Sequence, residues 1–189
     1  MPGLRKTLGS FRAVLRKLVT RRLSTPRGTQ PHVRKVGGHE SSLLAYLIRT
    51  SYRDVAERFN LTSQNCPKHP SNCTRDWVER DMNRGVSYYC LDMDENAIGC
   101  VAFEKVSAQE GYLERLAVLP EYRQNGFGKK LVDHVFGLAT TTGICRIGIG
   151  IISKQQELKQ WYVKMGFVEQ EIKTFSHLPF RVSLLAYTL

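Results

Sequence analysis

The sequence predicts an α/β (α+β) fold: a mixed central sheet of about seven strands, helices on both faces, and one βαβ crossover in the middle. Three observations carry this expectation. Apolar residues recur at strand spacing in seven short runs and at helix spacing in longer ones, in the order β-α-α-β-β-β-α-β-α-β-β. Three strand-like runs with short connections precede the crossover, which makes the first half of the sheet antiparallel. A glycine-containing loop, "YRQNGFGKK", then passes directly from a strand-like run into an apolar helical one.

Taken in order, "HVRKV" (32–36) is a short strand. From Glu40 to about Asn60, Leu43, Leu44, Leu47, Ile48, Tyr52 and Val55 keep one continuous apolar stripe, as a helix requires. "LTSQNCPKHPSNCT" is rich in Pro, Asn and Ser and reads as a loop. "TRDWVERDMNRG" is a short helix with Thr74 as its N-cap and Gly85 as its stop. "VSYYCLDM" and "IGCVAFEKV" form a hairpin around "DENA", and "GYLERLAVL" (111–119) is the next strand. The helix from about Gly126 to Thr140 buries Leu131, Val132, Val135, Phe136 and Ala139. In "CRIGIGII" (145–152), Ile147, Ile149 and Ile151 share one face, while Gly148 and Gly150 mark close approach on the other. "QQELKQWYVKMGF" is a helix stopped by Gly166, and "VEQEIKTF" with "FRVSLLAYTL" closes the sheet as a hairpin around "SHLP".

The 189 residues suffice for one domain with a real core. The formal charge of +11 suggests a nucleic-acid binder, but its distribution argues otherwise. Residues 1–39 hold ten Lys/Arg and no acid, whereas 40–189 hold eighteen Lys/Arg against seventeen Asp/Glu. The body is nearly neutral, so no nucleic-acid partner is expected. Residues 1–30 read as a basic leader, with Leu4, Leu8, Phe11, Leu15 and Leu18 on one helical face. Two readings stand level: a mitochondrial presequence with processing at Leu23–Ser24, or a basic tail. A membrane-surface helix or a nucleic-acid arm ranks below both. No apolar run approaches the ~18 residues of a membrane span, so stable membrane insertion is not expected. Five cysteines without a secretory signal point to a reducing, intracellular setting, cytoplasmic or mitochondrial matrix.

Bare backbone and positive charge at a helix start suit an anion, often a phosphate. The loop supplies both: Gly126 and Gly128 sit between Arg123 and Lys129/Lys130. A dinucleotide fingerprint fails because Leu131 occupies its third glycine position, and G-x-x-x-x-G-K-[ST] does not occur.

"RQNGFG" matches R/Q-x-x-G-x-G/A, and "WYVKMGF" follows about forty residues later as an aromatic pair ahead of Gly-Phe. With the element order, these features resemble the GNAT superfamily of N-acetyltransferases over residues 31–189. The resemblance implies acetyl-CoA as cosubstrate; no metal is expected, on the cysteine and histidine spacing considered below. It implies a pyrophosphate held by Arg123, Gln124, Asn125, Gly126, Phe127, Gly128 and Lys129. The pantetheine arm would run along the backbone of Leu116, Ala117 and Val118. Arg123, Lys129 and Lys130 would add counter-charge, and Gly148 and Gly150 would clear space or receive a helix.

Acetylating an amine requires removing a proton from an ammonium whose pKa is about 10.4 for a lysine-like amine, and stabilising a departing thiolate. Glu114 is the candidate base. Period-2 alternation places residues 112, 114, 116 and 118 on one face, and spermidine/spermine-type acetyltransferases show a similar "YLE". Glutamate needs an upward pKa shift or a water relay for that role. Tyr162 is the candidate acid, at the position where the family commonly places a tyrosine near the thioester sulfur. The bland alternatives are a solvated Glu114 and an ordinary aromatic at Tyr162. "IISK" departs from the asparagine that many members carry at that strand end.

Cys66, His69 and Cys73 have ligand-like spacing but lack a fourth partner, so the segment reads as a substrate-side loop. His134 reads as solvated among helix charges, and His177 is left open in the closing turn. The expected function is an acetyl-CoA-dependent N-acetyltransferase acting on a small-molecule or protein amine, as monomer or homodimer. The alternative is a non-catalytic CoA-binding module of the same fold.

Overall fold

The computed structural model describes residues 30–189; the basic leader lies outside the described residues. Seven strands form one sheet in the order β1-β2-β3-β4-β5-β7-β6. They are β1 (His32–Val36), β2 (Ser87–Met93), β3 (Asn96–Lys105), β4 (Glu110–Val118), β5 (Arg146–Ile152), β6 (Val168–Thr174) and β7 (Arg181–Thr188). The helices are α1 (Ser41–Arg58), α2 (Arg75–Asn83), α3 (Phe127–Thr141) and α4 (Gln156–Lys164). Among the described strands only β4 and β5 pair in parallel, joined by the α3 crossover. Among the described residues no helix is long and apolar enough to cross a membrane.

Local signals explain the elements. Thr74 caps α2 by accepting from the Trp77 amide at 3.2 Å. The β2–β3 turn takes positive φ at both Asp94 and Glu95 (48° and 65°), the pair of conformations a two-residue hairpin favours. Gly166 ends the α4 segment at φ 97°. Helices cover the two faces of the sheet separately. The apolar stripes of α1 and α2 close over Tyr88, Cys90, Cys100 and Ala117. Leu131, Val132 and Val135 of α3, with Tyr162 of α4, close over Val101, Leu113, Ile147 and Ile149 on the opposite face.

Two features of β4 position everything that follows. Its pairing with β5 ends at Tyr112↔Gly148, after which the strands separate and open the sheet. Its pairing with β3 slips between Ala102↔Glu114 and Cys100↔Ala117, a β-bulge at which Arg115 adopts φ 51°. The bulge overturns simple alternation along 112–118. Leu113, Leu116 and Val118 belong to the α3/α4 face, while Ala117 and Leu119 belong to the α1/α2 face. Glu114 therefore does not share a face with Leu116 and Val118, because the extra residue at Arg115 reverses the side-chain direction.

The glycines of β5 have a cause besides a cofactor or a helix. A Cβ at Gly148 would meet the Tyr112 ring at 2.5 Å, and one at Gly150 would meet Val182 at 3.3 Å. The approaching groups are side chains of the neighbouring strands. Gly99 is the more demanding position, since a Cβ there would lie 2.6 Å from the Ala117 carbonyl oxygen, beside the bulge. Backbone cannot move aside cheaply within a central strand pair. Gly99→Ala should cost roughly 1–3 kcal/mol of stability in chemical denaturation; unchanged stability would show that the bulge is soft.

Candidate active site

Where β4 and β5 part, a cavity of about 730 Å³ runs through the sheet. Gly126, Gly128 and Lys129 line one end, Leu113 to Val118 and Ile149 to Ile152 its walls, and Tyr52, Val55, His69 and Phe180 the other end.

The loop end begins with Gly126, the N-cap of α3, at φ 80° and ψ −2°. No side chain caps the helix, and a Cβ on Gly126 would meet nothing within 4 Å. The first intrahelical bond runs from the Lys130 amide to the Gly126 carbonyl at 3.0 Å. The amides ahead of Lys130 lie in the turn whose N–H groups an α-helix cannot pair internally. They form a donor cluster at the positive end of the helix dipole, a fit for a diphosphate. Gly128 answers to packing as well, since a Cβ there would press on Trp161 at 3.3 Å.

The sequence-derived residues are distributed unevenly around this space. Leu116, Ala117, Val118, Arg123, Gln124, Gly126, Gly128 and Lys129 line the cavity, as do Glu114 and Tyr162. Asn125 and Phe127 are not among the lining residues. The Asn125 amide braces the loop by donating to the Tyr122 and Arg123 carbonyls at 3.2 and 3.0 Å, and Phe127 packs into the core. Arg123 departs from its expected part as a counter-charge. Its guanidinium is paired with Asp54 and donates to the Ser51 and Val118 carbonyls, so it ties α1 to the loop. Lys129 lies 2.7 Å from Asp133 in an exposed pair, and Lys130 is exposed.

In the middle of the cavity two tyrosines approach from opposite faces of the sheet. Tyr52 of α1 donates to the Leu116 carbonyl at 3.1 Å, and burial pushes its pKa up to about 12. Tyr162 of α4 is 4% exposed and packs edge-on against Trp161 and Phe167. Its hydroxyl is held protonated far above the ordinary range, by burial first and by Tyr52 second. Glu114 is half-buried, with Oε2 fully buried and without a hydrogen-bond partner. Burial raises its pKa, Arg115 opposes that shift, and Glu104 and Asp81 add to it.

His69, Tyr52 and Arg115 line the cavity; the segment carrying His69 was expected on the substrate side, whereas sequence reasoning gave Tyr52 and Arg115 no role there. The available signal was the pair of prolines and cysteines around His69, which marked a built loop; its direction is a tertiary property. Cys66 and Cys73 are buried, and their thiols are shifted up by burial. Among the described residues no cluster of three or more His, Cys, Asp or Glu is arranged to hold a metal ion. His134 is not solvated: its ring packs against Tyr89 at 4.7 Å and its Nε2 is buried without a partner. Burial lowers its pKa. His177 is exposed beside Phe175.

Comparison with known proteins adds three findings. The sequence pattern of the Acetyltransferase (GNAT) family matches residues 49–167. The ribosomal protein bS18-alanine N-acetyltransferase of Escherichia coli K12 is 24% identical over 100 residues, covering 51% of this chain and 68% of that protein. Two solved structures share the fold. The PaiA N-acetyltransferase of Thermoplasma acidophilum in complex with coenzyme A has a TM-score of 0.71 at 15% identity, covering 85% of this chain and 100% of that one. A GNAT family acetyltransferase of Elizabethkingia anophelis with acetyl-CoA bound has a TM-score of 0.62 at 13% identity, covering 85% and 99%.

Proposed function

The chain belongs to the acetyltransferase (GNAT) family, and from that premise we propose that it transfers the acetyl group of acetyl-CoA directly to an amine bound in the same cavity. One observation carries the reading. The opening between β4 and β5 joins an uncapped helix N-terminus to a half-buried carboxylate, one oxygen of which is buried without a hydrogen-bond partner, through a passage flanked by two protonated tyrosines. A binding module needs the first of these features and has no use for the others. The relatives support the cosubstrate and the acceptor class, since two fold neighbours hold CoA or acetyl-CoA and one relative acetylates a protein alanine.

In this reading the α3 amides and Gly126 hold the diphosphate, and Leu116 to Val118 guide the pantetheine arm. Glu114 takes a proton from the acceptor ammonium; its raised pKa makes it a stronger base than a solvated glutamate. The freed amine attacks the thioester carbonyl, the C–N bond forms, and the C–S bond breaks. Of the two protons the ammonium gives up, one ends on the CoA thiol and one in solvent. Tyr162 takes a narrower role than that of a free proton donor. With its pKa raised, complete transfer to a thiolate whose acid has a pKa near 8.5 runs uphill, so its hydroxyl stabilises the departing sulfur by hydrogen bonding.

The test is acetyl-CoA consumption, read as thiol release, across polyamines, amino acids, antibiotic-like amines and peptides. Amine-dependent turnover is the expected result. Tight CoA binding with no turnover on any amine would favour the non-catalytic module instead.

A further inference from the structure

His69 and Arg115 have no place in the reaction as derived, yet both stand in the wall of the cavity on the side of the sheet that carries Tyr52. His69 is 5% exposed, in a loop held by hydrogen bonds from Asn72 to Cys66 and from Cys73 to Pro70. Its Nδ1 accepts the Ser71 backbone N–H at 3.3 Å and lies 2.9 Å from the Ser71 hydroxyl. A backbone N–H can only donate, so Nδ1 carries no proton and the neutral ring bears it on Nε2. Burial, reinforced by Arg115, drops the pKa to about 4 and keeps the ring neutral at physiological pH. Among the described residues Nε2–H meets no acceptor. His69 is a fixed, uncharged hydrogen-bond donor in the wall of the cavity.

Arg115 supplies a second donor. Its positive φ at the bulge and the Trp77 ring, 5.0 Å from its guanidinium, hold the side chain against α2 at 18% exposure. Asp81 is its nearest carboxylate, at a loose 3.8 Å, and is itself engaged by the Tyr88 hydroxyl and by Arg84. Its Nε is buried without a partner. Glu114, the proposed base, is the adjacent residue, and its carboxylate and this guanidinium act on each other electrostatically.

The remaining lining constrains the acceptor further. The cavity has two carboxylates, Asp54 and Glu114, against Arg115, Arg123 and Lys129, and Asp54 is already paired with Arg123. An extended polycation finds no row of anions here. Beyond His69 the wall turns apolar at Val55, Leu178 and Phe180.

From this arrangement, and resting on the acetyltransferase reading, we infer that the acceptor carries a carbonyl or carboxylate oxygen within a few bonds of its amine, received by His69 and Arg115, with an apolar substituent beyond it. An α-amino acid and the N-terminus of a peptide share that chemistry. A site built to hydrogen-bond an oxygen strongly rejects the analogue lacking it, because its buried donors are then left unpaired.

The experiment measures kcat and KM with the full-length chain on leucine amide, leucine, a leucine-initiated peptide, isopentylamine and spermidine. Calorimetry of the same panel on the protein–CoA complex runs in parallel. Referred to the free amine present at the assay pH, leucine amide, leucine or the peptide should exceed isopentylamine by at least about 10²-fold in kcat/KM. Preference for leucine over the amide and the peptide identifies the free amino acid as source, and the reverse identifies the peptide. His69→Phe and Arg115→Lys should each raise KM for the favoured acceptor about 10- to 100-fold and collapse its advantage over isopentylamine. A purely structural role would lower turnover of both acceptors together and leave the ratio intact, and that outcome overturns the inference. So does isopentylamine or spermidine equalling the oxygen-bearing amines, although the acetyltransferase reading then survives. Preferential binding of the oxygen-bearing amines without turnover would sustain the subsite and remove the reaction.

Discussion

Gly126→Asp should weaken CoA binding by about 30- to 1000-fold, whereas Gly126→Asn should retain most of the affinity. The two substitutions differ by one charge and almost nothing else. Gly126 has φ 80°, a conformation that Asn and Asp tolerate better than other side chains, and a Cβ there meets nothing within 4 Å. Both residues are good N-caps, so α3 should form in both variants. The aspartate, however, places an anion against the N-terminal amides proposed to hold the diphosphate. At an effective dielectric near 20, two unit charges about 4 Å apart interact by roughly 4 kcal/mol. Solvent and mobile ions reduce this, and the deficit should shrink as salt is raised. Equal CoA dissociation constants for the two variants by titration calorimetry would remove this loop from the cofactor site.

That loop shows how far a linear reading reaches. The turn at Gly126 was legible because a glycine between a strand run and a helix run marks the helix start, where it takes φ 80°. The strands and helices were legible for a similar reason: each buries one face, and the spacing of its apolar residues records which. Arg123 was misjudged because its charge is visible in sequence but its partner, Asp54 on α1, is 69 residues away. The face of Glu114 was misjudged because alternation along β4 breaks at Arg115. No residue type announces that break, since an arginine at φ 51° is held there by Trp77 and the slipped β3 register rather than by its own preference. Tyr52 looked like one more member of the α1 apolar stripe. Its place in the cavity depends on the parting of β4 from β5, a relation between strands that neither strand encodes alone.

Two substitutions separate the proton roles at the centre of the cavity. Tyr162→Phe keeps the edge-on packing against Trp161 and Phe167 and removes only the hydroxyl. If that hydroxyl stabilises the departing thiolate, kcat should fall about 10- to 100-fold with CoA affinity nearly unchanged, because the bond strengthens only as the sulfur gains charge. The pH profile should keep its shape, since a tyrosine shifted so far up does not titrate in the working range. Glu114→Gln should change the shape instead. In the parent, activity should fall as pH drops through the raised Glu114 pKa, where the base becomes protonated. In the variant that limb should vanish, and the rate should climb with pH as free amine replaces ammonium. Stability should move the other way. A carboxyl whose folded pKa exceeds its unfolded value binds protons more readily when folded, so the folded state loses stability as pH rises through that interval. Glu114→Gln removes the buried charge and should raise the melting temperature at neutral pH while activity falls. A variant with normal activity at low pH would take the proton transfer away from Glu114, whatever its effect on stability. A lower melting temperature at neutral pH would mean that the carboxylate is held by Arg115 as a structural ion pair rather than kept at a cost for catalysis.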